Sequence, residues 1–253
     1  MLGGGRALLM QVAHPLVAAG VHAHSDYARN PWGRLARTMT ALYSVVHGTR
    51  EEADRVAAQV RAVHRNVRGK HDGRRYSAFD ADLMMWVHAT LVDTGLVMYE
   101  TFVGRLDRDL QEAFYDDMKL VARIFGVPEG VVPPTLADFG DYKRELLRGG
   151  ALRVGEEARA VARIVLDPPV PAPLRPGFAA LGRFTAALLP EELRELYALR
   201  VPAASRVALS VAAHAMQRVV LPSLPRALRS LQPAAGRPVE SVPPLRLLTA
   251  LAR

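Results

Sequence analysis

The chain has 253 residues, half of them hydrophobic and only 6% aromatic, with a formal net charge of +8 and an isoelectric point near 10.3. It contains no cysteine, which excludes disulfides, thiolate-bound zinc, iron–sulfur clusters, a cysteine nucleophile and a thiolate-ligated haem. The positive charge is carried almost wholly by arginine, with lysine only at 70, 119 and 143, and it is dispersed rather than gathered into basic blocks with interleaved aromatics, so it does not read as a nucleic-acid surface.

This length suits one domain with a sizeable core, and the abundance of Ala, Leu and Arg over aromatic residues points to packed helices. The expected fold is all-α, a single multi-helix globular domain enclosing a pocket of the haem type. Gly3 to Gly5 open a short apolar segment, and Pro15, after His14, starts a second, since proline suits the first turn of a helix. Asn30-Pro31 is a cap and first position for a helix reaching about His47. Thr49 to Glu52 has capping-box spacing, and its helix is expected to end at Gly69.

Lys70 to Tyr76 reads as a polar loop. A long helix is expected from about Asp80 to Val103, another from Asp107 to Phe125 stopped by Gly126, and a third capped by Thr135 and ending before Gly149-Gly150. Asp167 to Pro176 holds five prolines and reads as a rigid linker. It separates a helical core over 1–166 from a second part, 167–253, made of the linker and C-terminal helices packed on the same domain. Those helices are expected near Gly177 to Leu189, Glu191 to Arg200 and Ser205 to Val220, with a loosely ordered tail after Ser230. The apolar run from Leu83 to Val103 is interrupted by His88, Asp93 and Glu100, so no bilayer span is expected, and the N-terminus lacks the pattern of a signal peptide. A cytoplasmic protein is the default expectation.

The polar residues with chemical potential begin on the helix after Asn30. Arg34, Arg37 and Thr38 lie at i, i+3 and i+4, so they share one face and can converge on an anionic or oxygen-bearing ligand. Taken alone, two arginines more often form a solvated face, and a helical threonine often bonds back to the carbonyl four residues earlier. On the next helix Val60, Val63 and Val67 form an apolar stripe that would turn His64 inward. Burial would keep that imidazole neutral, the state a metal requires, although a core histidine with no ligand is the commoner outcome. His88, between Met84, Met85, Leu91 and Val92, is the second candidate ligand. His14, His22 and His24 gather near Asp26, but an HxH pair on a helix alternates faces and needs a helix end to converge. The GxSxG, HExxH, GxxxxGK[ST] and strand-linked GxGxxG motifs are all absent.

The segments Gly3-Gly4-Gly5-Arg6-Ala7-Leu8-Leu9, Gln11-Val12-Ala13-His14-Pro15 continuing to Val21, and His24-Ser25-Asp26-Tyr27 strongly resemble a large bacterial family grouped with the catalytic domain of rubber oxygenases (latex-clearing proteins) and a fungal oxygenase of mycophenolic acid biosynthesis. Val63 to Gly69 and Trp86 to Asp93 resemble recurrent segments of the same family, and the likeness runs from about Gly3 to Arg200. It implies an all-helical fold holding haem b, with His64 as axial iron ligand through the pattern Val-Arg-x-x-His-x-x-Val-Arg over 60–68. Arg34 and Thr38 become pocket residues through Arg34-Leu35-Ala36-Arg37-Thr38. Two departures stand out. Arg37 occupies a position where rubber oxygenases can have an iron-binding lysine, and a guanidinium stays protonated and ligates poorly, leaving the distal position open or water-bound. Those enzymes also use an acidic residue upstream, whereas Asp26 is the only carboxylate between Met1 and Arg34.

The resulting expectation is a haem b-dependent oxygenase or related oxidoreductase acting with dioxygen, and an electron donor, on a small apolar or isoprenoid-like substrate. His64 would hold the iron, Arg34 and Arg37 would neutralise a propionate or orient dioxygen, and Thr38 would donate a hydrogen bond. His14 with Asp26 would transfer protons, and His88 would be the alternative cofactor contact. The competing expectation is a non-catalytic helical carrier for an apolar ligand.

Overall fold

A computed structural model describes residues 2–224, and the tail expected after Ser230 lies outside them. The described chain is helical apart from one β-hairpin. Its centre is α1 (Leu2–Val12), whose Leu9, Met10 and Val12 are wholly buried. Around it pack α2 (Pro15–His24), α5 (Ala81–Phe102), α8 (Glu156–Leu166) and α9 (Arg175–Ala187). The remaining longer helices are α3 (Pro31–His47), α4 (Arg50–His64), α6 (Arg108–Phe125), α7 (Leu136–Arg148) and α11 (Ala203–Ala215), with a short α10 at Glu191–Leu196.

The glycine run explains how so many helices reach α1. A Cβ on Gly3 would lie 3.2 Å from Met98 of α5, one on Gly4 3.1 Å from Leu35 of α3, and one on Gly5 3.1 Å from Val165 of α8. Successive helical residues point about 100° apart, so three consecutive glycines open three sides of α1 to three partners. The run is a helix crossing point, and glycine's cost in helix propensity is offset by close packing.

Local signals set most boundaries. Asn30 caps α3 by accepting from the Gly33 N–H, Thr49 and Glu52 form the reciprocal capping box of α4, and Asp107 caps α6. Gly126, at φ +88°, ends α6 in the left-handed conformation that favours glycine. Thr135 and Asp138 make a second capping box at α7.

Four expectations are corrected. The helix after Thr49 stops at His64, not Gly69, because Arg68–His71 pairs antiparallel with Arg74–Ser77 as β1 and β2. The supposed loop is therefore a hairpin, turned by Asp72-Gly73 at φ +48° and +78°, the dipeptide suited to a tight turn with two positive φ values. Helix α8 forms over a stretch where no element is expected, burying Ala158, Val161 and Ala162 at helical spacing. The helix from Glu191 ends at Leu196 and the chain reverses at Ala198, φ +53°.

Candidate functional site

Helices α3 and α4 are joined by two residues and pack against each other as an antiparallel pair. The turn end of this pair is anchored, with Val45 and Ala53 buried against Val121 of α6, and further along α4 Arg61 donates to the Ile124 carbonyl at 2.9 Å. The opposite end, made of the first half of α3 and the last turns of α4, is much barer. Trp32, Met39 and Val63 are exposed there, Val63 by 69%.

Beneath the first half of α3 lies a cavity of about 150 Å³, walled by α1, α3, α8 and α9. Its lining is mostly apolar, with Leu8, Leu35, Leu91, Ile164, Phe178 and Leu181 among the walls. Gly4 and Gly5 form part of one wall, so the glycines that admit neighbouring helices also leave this space unfilled. Trp32 meets Phe178 edge to face, with ring centroids 5.4 Å apart, where α3 approaches α9.

Five polar side chains line the cavity: Gln11, Tyr27, Arg34, Thr38 and Thr185. The Gln11 amide donates to Thr90 at 3.0 Å, and the Tyr27 hydroxyl pairs with His22 Nδ1 at 3.0 Å. Thr38 donates to the Arg34 carbonyl at 3.0 Å, the back-bonded arrangement, so its proton is committed to its own helix. Arg34 is half-buried, and its Nε donates to Ser25 Oγ at 2.9 Å. Burial pulls this guanidinium below its ordinary pKa, and Asp26 only partly restores it.

The structure therefore brings Arg34 and Thr38 to one space but sends Arg37 elsewhere. Arg37 Nη2 donates to both Asp26 oxygens, at 2.6 and 2.7 Å, on the protein surface. That hydrogen bond, which outweighs the small burial effect, holds the Asp26 carboxyl below its usual range. The i, i+3, i+4 spacing overstated convergence because the cavity touches only the inner side of α3.

His64 is exposed at the end of α4, so the inward orientation expected from its valine stripe is not found: none of the described elements covers that face. Its Nδ1 lies 2.7 Å from the Val60 carbonyl. A carbonyl only accepts, so Nδ1 carries the proton and Nε2 presents a bare lone pair, the tautomer suited to a metal. His88 is buried, and burial lowers its pKa to about 4; its Nε2 has no hydrogen-bond partner. It does not line the cavity.

His14 caps α2 by accepting from the Leu16 N–H at 3.3 Å and lines a separate small cleft with His71, Arg74 and Arg153. Burial, then Arg74, lowers its pKa. His22 and His24 diverge, to Tyr27 and Tyr76 respectively. Among the described residues no three His, Asp or Glu side chains gather to hold a bare metal ion.

Arg6 escaped sequence reasoning. It is 2% exposed, and it donates to Asp93 at 2.6 Å, Thr94 at 2.7 Å and the Leu188 carbonyl at 2.7 Å, while Lys143 reaches the other Asp93 oxygen at 2.5 Å. This network ties α1, α5 and α7 to the end of α9 beside the cavity. A charged residue in an otherwise apolar helix, with Asp93 in an apolar run, was the signal available.

A family model described as "ER-bound oxygenase mpaB/B'/Rubber oxygenase, catalytic domain" matches residues 1–218. The chain belongs to this family. Uncharacterized proteins of Mycobacterium bovis and Mycobacterium tuberculosis are each 30% identical over 200 residues, covering 76% of this chain and 77% of theirs. No solved structure matches. Membership supports a general oxygenase function. No helix among the described residues is long and apolar enough to cross a membrane.

Proposed function

We propose that the protein is a cytoplasmic haem b-dependent oxygenase, or a closely related oxidoreductase, acting on a small apolar or isoprenoid-like substrate held under α3. The observation that carries this reading is the apolar cavity of an oxygenase-family chain with Arg34 set into its wall.

The residues present suit a haem in chemical terms. One neutral imidazole with a free Nε2 is needed, and His64 offers it; the macrocycle needs apolar surface, and Trp32, Met39 and Val63 leave such surface bare at the same end of the α3–α4 pair. The enclosed 150 Å³ is smaller than usual ligand pockets of roughly 300–1,000 Å³. Haem would therefore occupy the bare end of the helix pair, with the cavity left for substrate. When bound, haem supplies the electron transfer that activates dioxygen.

The protein's own residues do the rest. His64 would hold the iron, with its Nδ1 engaged by the Val60 carbonyl. Arg34 offers positive charge and hydrogen-bond donors at the cavity wall, and Arg37, braced by Asp26, adds a surface cation suited to a propionate. Thr38 contributes an acceptor oxygen while its own proton is donated to the Arg34 carbonyl. The apolar walls orient the substrate and exclude water.

Absorbance of the purified protein after haem supplementation tests this reading. A Soret band that His64→Ala abolishes or strongly shifts is expected. No Soret band, or full haem retention by His64→Ala, overturns the assignment.

A further inference from the structure

The cavity walls hold one cation whose hydrogen-bonding capacity is not spent. Arg34 uses Nε on Ser25, and neither Nη group has a hydrogen bond or ion pair with any described residue. The nearby Asp26 acts on Arg34 only as a charge, and takes its hydrogen bonds from Arg37. Of the other polar side chains in the walls, Gln11 donates to Thr90, Thr38 donates to the Arg34 carbonyl and the Tyr27 hydroxyl pairs with His22, which leaves the neutral Thr185 hydroxyl besides Arg34. A half-buried guanidinium edge facing an apolar space is costly unless an anion meets it, and paired N–H groups match a carboxylate in geometry as well as charge.

We propose that the substrate cavity is built for an apolar carboxylic acid, with Arg34 Nη1 and Nη2 binding the carboxylate and the hydrocarbon lying against Leu8, Leu35, Ile164 and Leu181. This rests on the cavity being the substrate site of the proposed oxygenase, and it adds the substrate's polar end. A neutral alcohol of the same length fills the same walls but leaves the guanidinium without its charge partner. An amine adds like-charge repulsion. The volume of about 150 Å³ matches a cavity known to take a benzene-sized group, so a short chain fits.

Fluorescence reports on the site directly, because Trp32 lines the cavity while Trp86, the other tryptophan, is buried in the core. The protein as isolated is titrated with octanoate, octan-1-ol and octylamine, with Trp32→Phe as the signal control. Octanoate is expected to bind at least tenfold more tightly than octanol, and octylamine more weakly still. Arg34→Met should abolish the preference for the acid, bringing the octanoate-to-octanol affinity ratio to about one, and Arg34→Lys should restore part of it. Equal affinity of octanoate and octanol in the unmutated protein overturns the proposal without any variant. Haemin titration separates the two sources of carboxylate: if Arg34→Met weakens haemin binding yet leaves octanoate binding untouched, the guanidinium serves the propionate and the proposal falls. Octanoate selectivity needs no iron, so a missing Soret band with selectivity intact overturns the haem reading alone.

Discussion

Arg37 spans both carboxylate oxygens of Asp26 with a single nitrogen, and that contact decides what its neighbour Arg34 can do. Arg34 would otherwise compete for the same acid. With Asp26 occupied, Arg34 keeps its Nη groups for the cavity. Because the Arg37–Asp26 pair is exposed and screened by solvent, it organises charge rather than adding much stability.

Asp26→Asn should therefore leave the melting temperature nearly unchanged and tighten octanoate binding severalfold, since a negative charge near Arg34 is removed. Differential scanning fluorimetry and the Trp32 titration measure the two effects on one sample. A large drop in melting temperature would show the pair to be structural after all.

The buried Arg6–Asp93–Lys143 network is a different case. Asp93→Asn leaves Arg6 without its counter-charge in the core, and loss of one member of a buried pair costs about 3–5 kcal/mol. Burial pushes the Asp93 carboxyl up, but Arg6 and Lys143 outweigh it and hold the net value below the usual one. The folded pKa is thus the lower one, so this stability is present above about pH 4 and is lost as pH falls through the folded value. Urea unfolding at pH 7 and pH 3 should show the variant's deficit shrinking at the lower pH.

His88 gives stability a second pH dependence at milder acidity. Its folded pKa of about 4 lies below the unfolded 6.5, so below pH 6.5 the unfolded state takes up a proton that the folded state refuses. Stability should fall by about 3 kcal/mol between pH 6.5 and 4 from this group alone. In His88→Leu that slope should flatten, read from urea midpoints across the range, because the unpartnered Nε2 is gone.

Two glycines of α9 should answer oppositely to alanine. A Cβ at Gly182 would collide with the Leu166 carbonyl, so Gly182→Ala must push α9 off α8 at a cost of about 1–3 kcal/mol, and must loosen the cavity wall that Gly182 helps form. Gly177 meets nothing within 4 Å, so Gly177→Ala should be neutral or stabilising by up to about 1 kcal/mol. Thermal melts of the pair, with octanoate affinity measured alongside, check both.

The sequence by itself determined the features written in neighbouring residues. Asn30, Thr49 with Glu52, Asp107, Gly126 and Thr135 set helix ends because a cap and the backbone groups it satisfies lie within a few positions. The all-helical class and the family pattern around Arg34 and His64 were legible for the same reason. The β-hairpin at Arg68–Ser77 was missed although Asp72-Gly73 announces its turn, since strands of four residues carry almost no periodicity. Only the tertiary structure decided which side chains share a space. Spacing on α3 placed Arg34, Arg37 and Thr38 together, but the position of α8 and α9 against α1 admits the first and last to the cavity and leaves Arg37 to Asp26. Burial of His64 depended on a covering element that none of the described residues provides, and the Arg6–Asp93 contact joins residues 87 positions apart. Such relationships arise from how helices cross, and the glycines that permit those crossings carry no side chain to reveal them.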